Sequence, residues 1–356
     1  MKLVYAVDKQ SYNDNMHDGV VKKVHGQLAQ FQREGIETTV CEYEWKSGYP
    51  QIVVDADTDI LYFRRIEPSV KFIRKLHELK KINKKLRIIM EIPTYPFSLK
   101  KEDYSLKKTI NRVIGLRLIK HYVDRIVLIG GLVSTVYGIP VISINNGIDF
   151  NAVKVKKAIE TDNANGIHMI CVSSCARSHG YERVIEGLHD YYAQGDNREA
   201  VFLHLVGTGR CWDEYKYLSD KYDLTDKYLF FYGRKTGAEL DPIYDKCHIG
   251  LAGLGTYRTK IILSSSLKAR EYAAKGIPMV VDIMLDMDNE MTNKYILSVP
   301  SEDKPLDIQK IVEFYHRVYD GKAEQFINQE IRDVFYPYCD WEFTLVPVID
   351  YIKSGK

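Results

Sequence analysis

The sequence predicts an α/β protein of two domains, each built around a doubly wound parallel sheet. Short apolar segments alternate along the chain with helical segments of about 10–15 residues, which is typical of strand–helix–strand units. This alternation occurs twice, with a polar stretch at residues 151–165 between the two series. The length of 356 residues also suggests two domains, since a typical domain has about 150 residues.

The first series begins with an apolar segment at residues 2–8, followed by a helical pattern from Val20 to Glu34 that ends at Gly35. A short apolar run closed by polar residues is typical of a parallel strand, because helices cover both of its faces. Further strands are predicted at residues 37–44, 59–65, 86–92, 124–129 and 139–149, and further helices at residues 69–83 and 106–123.

The second series repeats this pattern after the polar stretch. Strands are predicted at residues 167–174, 200–209, 227–233, 249–254 and 277–282, and helices at residues 181–194, 213–222, 239–247 and 267–276. The tail from Asp307 is predicted to be helical and to end in an amphipathic helix at residues 340–353. We therefore expect Rossmann-like domains at residues 1–155 and 156–335, and a C-terminal helix at residues 336–356 that packs back on the first domain.

The composition excludes several classes of protein. The net charge of +2 lacks the strongly basic balance of a nucleic-acid-binding domain. The six cysteines are scattered and lack the spacing of a zinc site. The N-terminal apolar stretch is too short for a signal peptide, and no apolar run approaches the ~18 residues of a transmembrane helix. We expect a cytoplasmic protein, and a peripheral position on the inner face of the cell membrane stays open.

The strongest candidate for chemistry lies at residues 264–280, where three serines precede the predicted helix at residues 267–276. In doubly wound sheets, ligands bind beyond the carboxyl ends of the strands, at the N-termini of the helices that follow. Lys268 and Glu271 are three residues apart and share one helix face. An ammonium beside a carboxylate suits a ligand with a phosphate and a vicinal diol, although a surface ion pair would explain the same spacing.

The pattern S-x-L-K-x-x-E-Y-x-A-x-G-I-P-x-V, at residues 265–280, resembles the donor-site helix of GT-B glycosyltransferases of family 4, the "glycosyl transferases group 1" type. Other segments resemble the same family in the same order along the chain. They are the glycine loop and first helix at residues 19–27, EIPTYPF at 91–97, NGID at 146–149, the loop and helix at 171–188, LHLVGTG at 203–209 and the strand and helix at 229–244.

This resemblance implies the GT-B fold, in which two Rossmann-like domains face each other across a cleft. On this basis we predict Lys268, Glu271 and Arg183 as catalytic residues. On the donor side, in the second domain, the prediction comprises Ser173, Ser174, His179, Gly180, Gly207, Tyr232, Gly233, Arg234, Arg258, Lys260, Ser266 and Leu267. On the acceptor side, in the first domain, it comprises Gly19, Val20, Glu91, Thr94 and Tyr95.

Two positions depart from the family pattern. Members often carry a further glutamate eight residues before the one that corresponds to Glu271, and Leu263 stands there in this chain. Many members also have an arginine and a lysine, five residues apart, where this chain has Ser174 and His179. The candidates for the missing positive charge are Arg177, His179, Arg183, Arg258 and Lys260.

The activity that the resemblance implies is transfer of a sugar from a nucleoside diphosphate, UDP in preference to GDP, to a hydroxyl of a glycan or lipid-linked acceptor. It implies bacterial surface polysaccharide synthesis with retention of anomeric configuration, and we expect no cofactor, no metal ion and no nucleic-acid partner. Two alternatives stay open. A GT-B-like partner subunit without activity would explain the two departures, and a nucleotide-sugar epimerase would have a similar two-domain shape.

Two predicted helices of the first half are rich in basic residues. Eight lysines and arginines lie between Lys71 and Arg87. The helix at residues 106–123 carries Lys107, Lys108, Arg112, Arg117 and Lys120 among isoleucine, valine and leucine residues. Basic amphipathic helices suit an anionic membrane surface, but an ordinary solvated helix face explains the pattern equally well.

Overall fold

The computed structural model describes residues 1–13, 19–64, 68–93, 105–159, 166–195, 197–259 and 261–355. The chain divides into two compact domains, of which the first contains Met1–Gly147 and Trp341–Lys356 and the second contains Ile148–Asp340. Within the ranges described, no helix has the length and apolar character needed to cross a membrane.

The first domain is an α/β unit around a seven-stranded sheet. Its strands are β1 (Lys2–Asp8), β2 (Glu37–Tyr43), β3 (Trp45–Lys46), β4 (Tyr49–Pro50), β5 (Ile60–Arg64), β6 (Arg87–Ile92), β7 (Arg125–Ile129), β8 (Thr135–Val136) and β9 (Ile139–Ile144). Its N-terminal helices are α1 (Lys9–Asn13), α2 (Gly19–Arg33), α3 (Val70–Ile82) and α4 (Leu106–Leu118). The strand order is β2-β1-β5-β6-β7-β9-β8, and β3 and β4 form a separate hairpin.

The central strands of this sheet are buried along almost their whole length. β1, β5, β6 and β7 pair in parallel, and nearly every side chain in them is shielded from water. Continuous burial of this kind requires helices on both faces, which is why these strands appear in the sequence as uninterrupted apolar runs rather than as an alternating pattern.

The second domain contains a six-stranded sheet with neighbours that are all parallel. The strands of the domain are β10 (Ile167–Val172), β11 (Val201–Val206), β12 (Leu229–Gly233), β13 (Ile249–Leu251), β14 (Leu263–Ser264), β15 (Met279–Val281), β16 (Met284–Leu285) and β17 (Ile296–Ser298), of which β14 and β16 form a separate two-stranded sheet. Its helices are α5 (Glu182–Tyr192), α6 (Trp212–Lys221), α7 (Asp241–Tyr244), α8 (Leu267–Lys275), α9 (Ile308–Tyr319) and α10 (Glu324–Cys339).

The strand order of the second sheet, β12-β11-β10-β13-β15-β17, reverses between β10 and β13. The chain proceeds from β10 to β12 on one side and then returns past β10 to form β13, so that Met169 of β10 pairs with Leu203 on one side and Ile249 on the other. The loops that follow β10 and β13 therefore leave the sheet in opposite directions and open a crevice, which is where ligands bind in such sheets. The predicted class, α/β with a doubly wound sheet in each domain, is confirmed.

The domain boundaries differ from the predicted positions at residues 155 and 335. The second domain begins at Ile148 because the backbone N–H of Ile148 donates to the carbonyl of Cys339 at 2.8 Å, and the backbone N–H of Phe150 donates to the Asp340 carboxylate at 2.8 Å. Phe150 is also buried in the apolar core of this domain. Residues 148–150 therefore already belong to the second domain, and the polar stretch that suggested a linker begins only after them, at residue 151.

The C-terminal segment belongs to the first domain and consists of two short helices rather than one, α11 (Trp341–Thr344) and α12 (Val346–Ser354). Pro347 in the first turn of α12 lacks a backbone N–H and so favours a new helix start there. Trp341 is buried between Gly26 and Gly147, where a Cβ atom would lie within about 2.5 Å of the indole ring.

Three histidines form a row in the second sheet, with His168 on β10, His204 on the neighbouring β11 and His248 directly before β13. His168 Nδ1 lies 2.8 Å from His204 Nε2, and His204 Nδ1 lies 2.8 Å from the Tyr232 hydroxyl. His248 Nδ1 accepts a hydrogen bond from the backbone N–H of His168 at 3.1 Å. Burial lowers the pKa of His168 to about 4 and those of His204 and His248 to about 3, so all three rings are neutral at physiological pH.

This row predicts a loss of stability in mild acid. An unfolded histidine keeps a pKa near 6.5, so between about pH 6.5 and pH 4 the unfolded chain binds more protons than the folded one. The stabilisation from the neutral histidines is therefore complete above pH 6.5 and is lost as the pH falls. The temperature of unfolding, measured across this range, will drop, and it will drop less steeply in His204→Phe.

The exposed His316 provides the control. Its pKa is raised by hydrogen bonds to Asp320 and Glu199, so its stabilisation is present in acid and is lost as the pH rises. His316→Gln will leave the acid loss as steep as in the wild type or steeper. An unchanged slope in His204→Phe would contradict the assignment of the acid loss to the buried row.

Candidate functional site

Two loops bound the crevice at the point where the strand order of the second sheet reverses. The loop after β10 reaches the loop after β13 through a backbone hydrogen bond, in which Leu254 N–H donates to the His179 carbonyl at 3.0 Å. Gly180 has a φ of +65°, and a Cβ atom there would lie 2.4 Å from the Leu254 carbonyl oxygen. Only glycine permits this close approach, so Gly180 fixes the spacing of the two loops.

The glycines of the segment V-G-T-G pack against the loop after β10. A Cβ atom on Gly207 would lie 1.7 Å from the carbonyl oxygen of Ser173, and one on Gly209 would lie 1.8 Å from that of Ser174. Both glycines have positive φ, at +131° and +154°. Gly207 therefore supports the loop beside the crevice through backbone contact, and the structure explains it without a ligand.

Arg183, predicted as a catalytic cation, belongs to the scaffold beneath these loops. Its side chain is about 2% exposed, and its guanidinium donates to the carbonyls of Leu254 at 2.5 Å, Lys304 at 2.7 Å and Pro300 at 2.9 Å. The buried carboxylate of Asp282, 3.8 Å away, balances its charge. Because these contacts occupy the guanidinium inside the protein, the structure corrects the prediction that Arg183 binds the diphosphate.

Arg258 also has both terminal nitrogens of its guanidinium in contact with other residues of the loops. One guanidinium nitrogen donates to the Glu182 carboxylate at 2.6 Å and to the Arg177 carbonyl at 2.8 Å, and the other donates to Asp303 at 3.1 Å. These contacts fasten the loop after β13 to the loop after β10. The structure therefore assigns Arg258 a structural role, in contrast to its predicted role as a phosphate-binding charge.

The crevice contains a cavity of about 220 Å³. Its walls come from the loops after β10, β13 and β15 and from the start of α8. The lining residues are Ser178, His179, Ala252, Gly253, Thr256, Thr259, Ile261, Ser264, Ser266, Lys268, Val281, Ile283 and Leu285. Of these described residues, Lys268 is the one with a charged side chain at neutral pH.

Lys268 is the second residue of α8 and lies with its ammonium against the cavity wall. Nζ donates to the Tyr181 hydroxyl at 3.2 Å and to the Ala252 carbonyl at 3.3 Å. An ammonium carries three N–H donors, so these two acceptors leave a third donor for a ligand. Burial away from water destabilises the charged ammonium and lowers the pKa of Lys268 to about 8. A bound anion would offset this destabilisation.

The N-terminus of α8 adds to this positive field. Ser266 caps the helix, and its hydroxyl accepts a hydrogen bond from the backbone N–H of Ala269 at 3.4 Å. The first-turn amides of a helix lack intrahelical acceptors, and the helix dipole places partial positive charge at this end. An anion in the cavity would therefore face both the Lys268 ammonium and the amides of α8.

His179 lines the cavity as a neutral ring. Its Nδ1 accepts a hydrogen bond from the backbone N–H of Ala176 at 3.2 Å, and burial lowers its pKa to about 3. The proton of the neutral ring therefore lies on Nε2, which provides an N–H donor. His179 can donate a hydrogen bond to an anion, but its ring is neutral and so does not supply the predicted positive charge.

The sequence analysis does not identify two residues that support the site, Tyr181 and Asp282. Tyr181 is buried and its hydroxyl donates to the Ala252 carbonyl at 3.1 Å while it accepts from Lys268. The Asp282 carboxylate accepts from the backbone N–H of Thr256 at 2.8 Å and from its hydroxyl at 2.7 Å, and so orders the loop after β13. A carboxylate as the last residue of the predicted apolar strand at residues 277–282 is a signal that could have identified Asp282.

Glu271 lies one turn of α8 beyond Lys268 and is half-buried, outside the set of residues that line the cavity. Burial raises the pKa of both Tyr244 and Tyr272, and the negative charge of Glu271 adds to each shift. Leu267, the first residue of α8, is also half-buried.

The remaining donor-side residues lie in the loops around the crevice. Ser173 accepts a hydrogen bond on its hydroxyl from the backbone N–H of Cys175 at 3.0 Å, and Ser174 is exposed. At the end of β12, the Tyr232 hydroxyl is bound to His204, and the Gly233 carbonyl accepts from Gly207 N–H at 2.7 Å. The next residue, Arg234, is exposed. Lys260 lies outside the described residues.

On the acceptor side, the structure corrects the prediction for Glu91. This carboxylate is fully buried, 2.7 Å from the Lys23 ammonium, and it accepts hydrogen bonds from the Tyr62 hydroxyl at 2.8 Å and the Gln27 amide at 2.9 Å. A buried, paired carboxylate holds α2 against the sheet and has no exposed oxygen for an acceptor.

The structure describes two of the four other acceptor-side candidates. Gly19 and Val20 form the start of α2, while Thr94 and Tyr95 lie outside the described residues. Within the described ranges, no group of three or more histidine, cysteine, aspartate or glutamate side chains has the geometry of a metal site.

Comparison with solved structures identifies the fold. The chain is similar to a glycosyltransferase from Rickettsia africae, with a TM-score of 0.62 and 12% identity over 99% of this chain and 98% of that one. It is also similar to the trehalose-6-phosphate synthase OtsA, with a TM-score of 0.64 and 12% identity over 99% of each chain. Anabaena HepE, solved in complex with UDP-glucose, gives a TM-score of 0.57 and 11% identity over 99% of this chain and 98% of that one.

By sequence, no protein-family model matches the chain and no curated protein is similar to it at a significant level. At 11–12% identity the structural likeness shows the fold alone, and that fold is the GT-B fold of glycosyltransferases, as the sequence motifs predicted.

The assignment of Arg183 to the scaffold makes a direct prediction. Arg183→Met will lower the free energy of unfolding by about 3–5 kcal/mol, because it leaves the Asp282 carboxylate buried without its partner. The double variant Arg183→Met/Asp282→Asn will recover part of this loss. Chemical denaturation measures both values, and a stability equal to that of the wild type in Arg183→Met would contradict the scaffold role.

Proposed function

We propose that the chain is a glycosyltransferase that transfers a sugar from a nucleoside diphosphate to an acceptor hydroxyl. The observation that carries this proposal is Lys268, a half-buried residue with a desolvated ammonium, which lines the cavity at the N-terminus of α8 where the strand order of the second sheet reverses. The GT-B fold supports the same reaction class.

The chemistry follows from where charge develops. When the bond between the sugar and the diphosphate breaks, negative charge accumulates on the leaving phosphate, and donors already fixed around that position lower the barrier. Lys268, the first-turn amides of α8 and the His179 N–H are such donors. The volume of about 220 Å³ suits the diphosphate, with the nucleoside and the sugar extending beyond the cavity.

We assign the nucleoside to the residues around this cavity. The Glu271 carboxylate accepts from the ribose hydroxyls, and the base lies near Tyr232, Gly233 and Arg234 at the end of β12. UDP is our preferred nucleotide, since HepE was solved in complexes with UDP and with UDP-glucose. We further propose a glycan or lipid-linked acceptor in bacterial surface polysaccharide synthesis, retention of configuration and no requirement for a metal ion.

A second candidate is a partner subunit that binds a nucleotide without transferring a sugar. Leu263 stands where the family often has a glutamate, and both Arg183 and Arg258 are held by other contacts. Slow hydrolysis of the donor sugar in the absence of acceptor supports the transferase. Nucleotide binding without any hydrolysis supports the partner subunit.

Lys268→Met tests the proposal directly. The variant will bind UDP at least about tenfold more weakly by calorimetry, because the loss of a charge-assisted hydrogen bond in a partly dry site costs about 1.5–3 kcal/mol. Its unfolding temperature will equal or exceed that of the wild type, since the buried ammonium is desolvated. Lys294→Met, on the surface of the same domain, is the control and will bind UDP like the wild type.

Two further readouts separate the roles of the site residues. Because the pKa of Lys268 is about 8, UDP binding above that pH will be accompanied by proton uptake in the wild type and not in Lys268→Met.

Glu271→Gln will weaken the binding of UDP more than that of pyrophosphate, because pyrophosphate lacks the ribose that Glu271 is proposed to bind. Unchanged UDP affinity in both Lys268→Met and Glu271→Gln would exclude this cavity as the donor site.

A further inference from the structure

Helix α4 of the first domain packs on its neighbours with an unusual face. The residues that point inward are Arg112 and Gly115, and a Cβ atom on Gly115 would lie 2.2 Å from the Pro68 carbonyl oxygen. The Asn111 side chain accepts a hydrogen bond from the backbone N–H of Val70 at 2.8 Å. A narrow polar and glycine face therefore attaches α4 to the start of α3.

The apolar side chains of α4 point outward. Leu106 is 77% exposed, Ile110 50%, Val113 and Ile114 43% each, and Leu118 38%. Their spacing of three, four and eight residues places them on one continuous side of the helix. A surface helix normally turns such a stripe toward the core.

Helix α3 of the same domain shows the normal arrangement. It buries Phe72, Ile73, Leu76 and Leu79 and leaves its lysines and arginines at the surface. The two helices have similar composition, so basic amphipathic character alone does not explain α4. What distinguishes α4 is that its apolar stripe is the exposed side.

The charged residues of α4 itself, and of the turn that follows it, are all basic. From Ser105 to His121 the chain has five lysines and arginines and no acidic residue. Lys107, Lys108, Arg117 and Lys120 are exposed, while Arg112 lies inward. Exposed apolar side chains bordered by long basic side chains match the acyl and phosphate layers of an anionic membrane surface.

We propose that α4 docks the protein on an anionic lipid bilayer, with Leu106, Ile110 and Ile114 inserted among the acyl chains. A helix of 13 residues is about 20 Å long, too short to span a bilayer, so it lies in the plane of the interface. The lysines and Arg117 reach the lipid phosphates. This surface is separate from the cavity of the second domain, and its occupancy does not depend on the proposed sugar transfer.

Co-sedimentation of the full chain with vesicles tests the proposal. The wild type will bind vesicles that contain phosphatidylglycerol at least about tenfold more strongly than vesicles of phosphatidylcholine alone, and added salt will weaken the binding. Ile110→Asp/Ile114→Asp will lose most of this binding. The control Val53→Asp/Leu132→Asp changes two other exposed apolar residues of the same domain and will bind like the wild type.

The basic residues form a second arm of the experiment. Lys107→Ala/Lys108→Ala will bind the anionic vesicles several-fold more weakly, while Lys221→Ala/Lys227→Ala, which removes the same charge from exposed positions of the second domain, will not. Amide hydrogen exchange in residues 106–118 of the wild type will slow when anionic vesicles are added. This readout needs no substitution, and unfolding temperatures confirm that each variant is folded.

Several results would overturn the proposal. They are failure of the wild type to bind anionic vesicles at low salt, equal binding by Ile110→Asp/Ile114→Asp, and unchanged exchange in α4 on vesicle addition. Assembly of the wild type into a dimer that this double variant dissociates, without vesicle binding, would assign the stripe to a second copy of the chain. UDP binding is measured without vesicles, so a failure to bind vesicles does not affect the donor-site proposal. A failure to bind UDP likewise does not affect the proposal for α4.

Discussion

Direct contact between backbones in the loops after β10, β11 and β13 is the constraint on which the candidate site depends. Gly180 brings the first of these loops against Leu254 of the last, and Gly207 and Gly209 bring the second against Ser173 and Ser174. Side chains would separate these loops by a few ångströms. Glycine at these three points of closest approach therefore sets the spacing of the loops that bound the cavity.

The buried ion pair of Arg183 and Asp282 holds the same loops in place. Arg183 joins three carbonyl groups from the segments after β13 and β17, and Asp282 balances it while binding Thr256. A buried ion pair contributes little net stability. Breaking it is nevertheless costly, because the removal of either partner leaves the other charge buried and unpaired, and this cost keeps Arg183 and Asp282 in place. Lys268 lies against the cavity wall beside these residues, and among the described residues its ammonium donates to Tyr181 and Ala252.

The sequence predicted the fold and part of the site because those features have local signals. The alternation of strands and helices gave both sheets, and the serine cap followed by Lys268 is a pattern within a single turn. Arg183 and Glu91 were misassigned for the opposite reason. Their partners lie 71 and 68 residues away along the chain, at Leu254 and Lys23, and no local pattern reveals that these charges are buried. The outward stripe of α4 was ambiguous for the same reason, since periodicity does not tell which side of a helix is covered.

The most direct test of the account is a crystal structure of the full chain soaked with UDP. The account predicts that the diphosphate lies in the cavity, with one phosphate oxygen within hydrogen-bonding distance of Lys268 Nζ and another facing the first-turn amides of α8, and that the ribose lies near Glu271. UDP bound elsewhere on the chain, with this cavity unoccupied and the Lys268 contacts to Tyr181 and Ala252 unchanged, would contradict it.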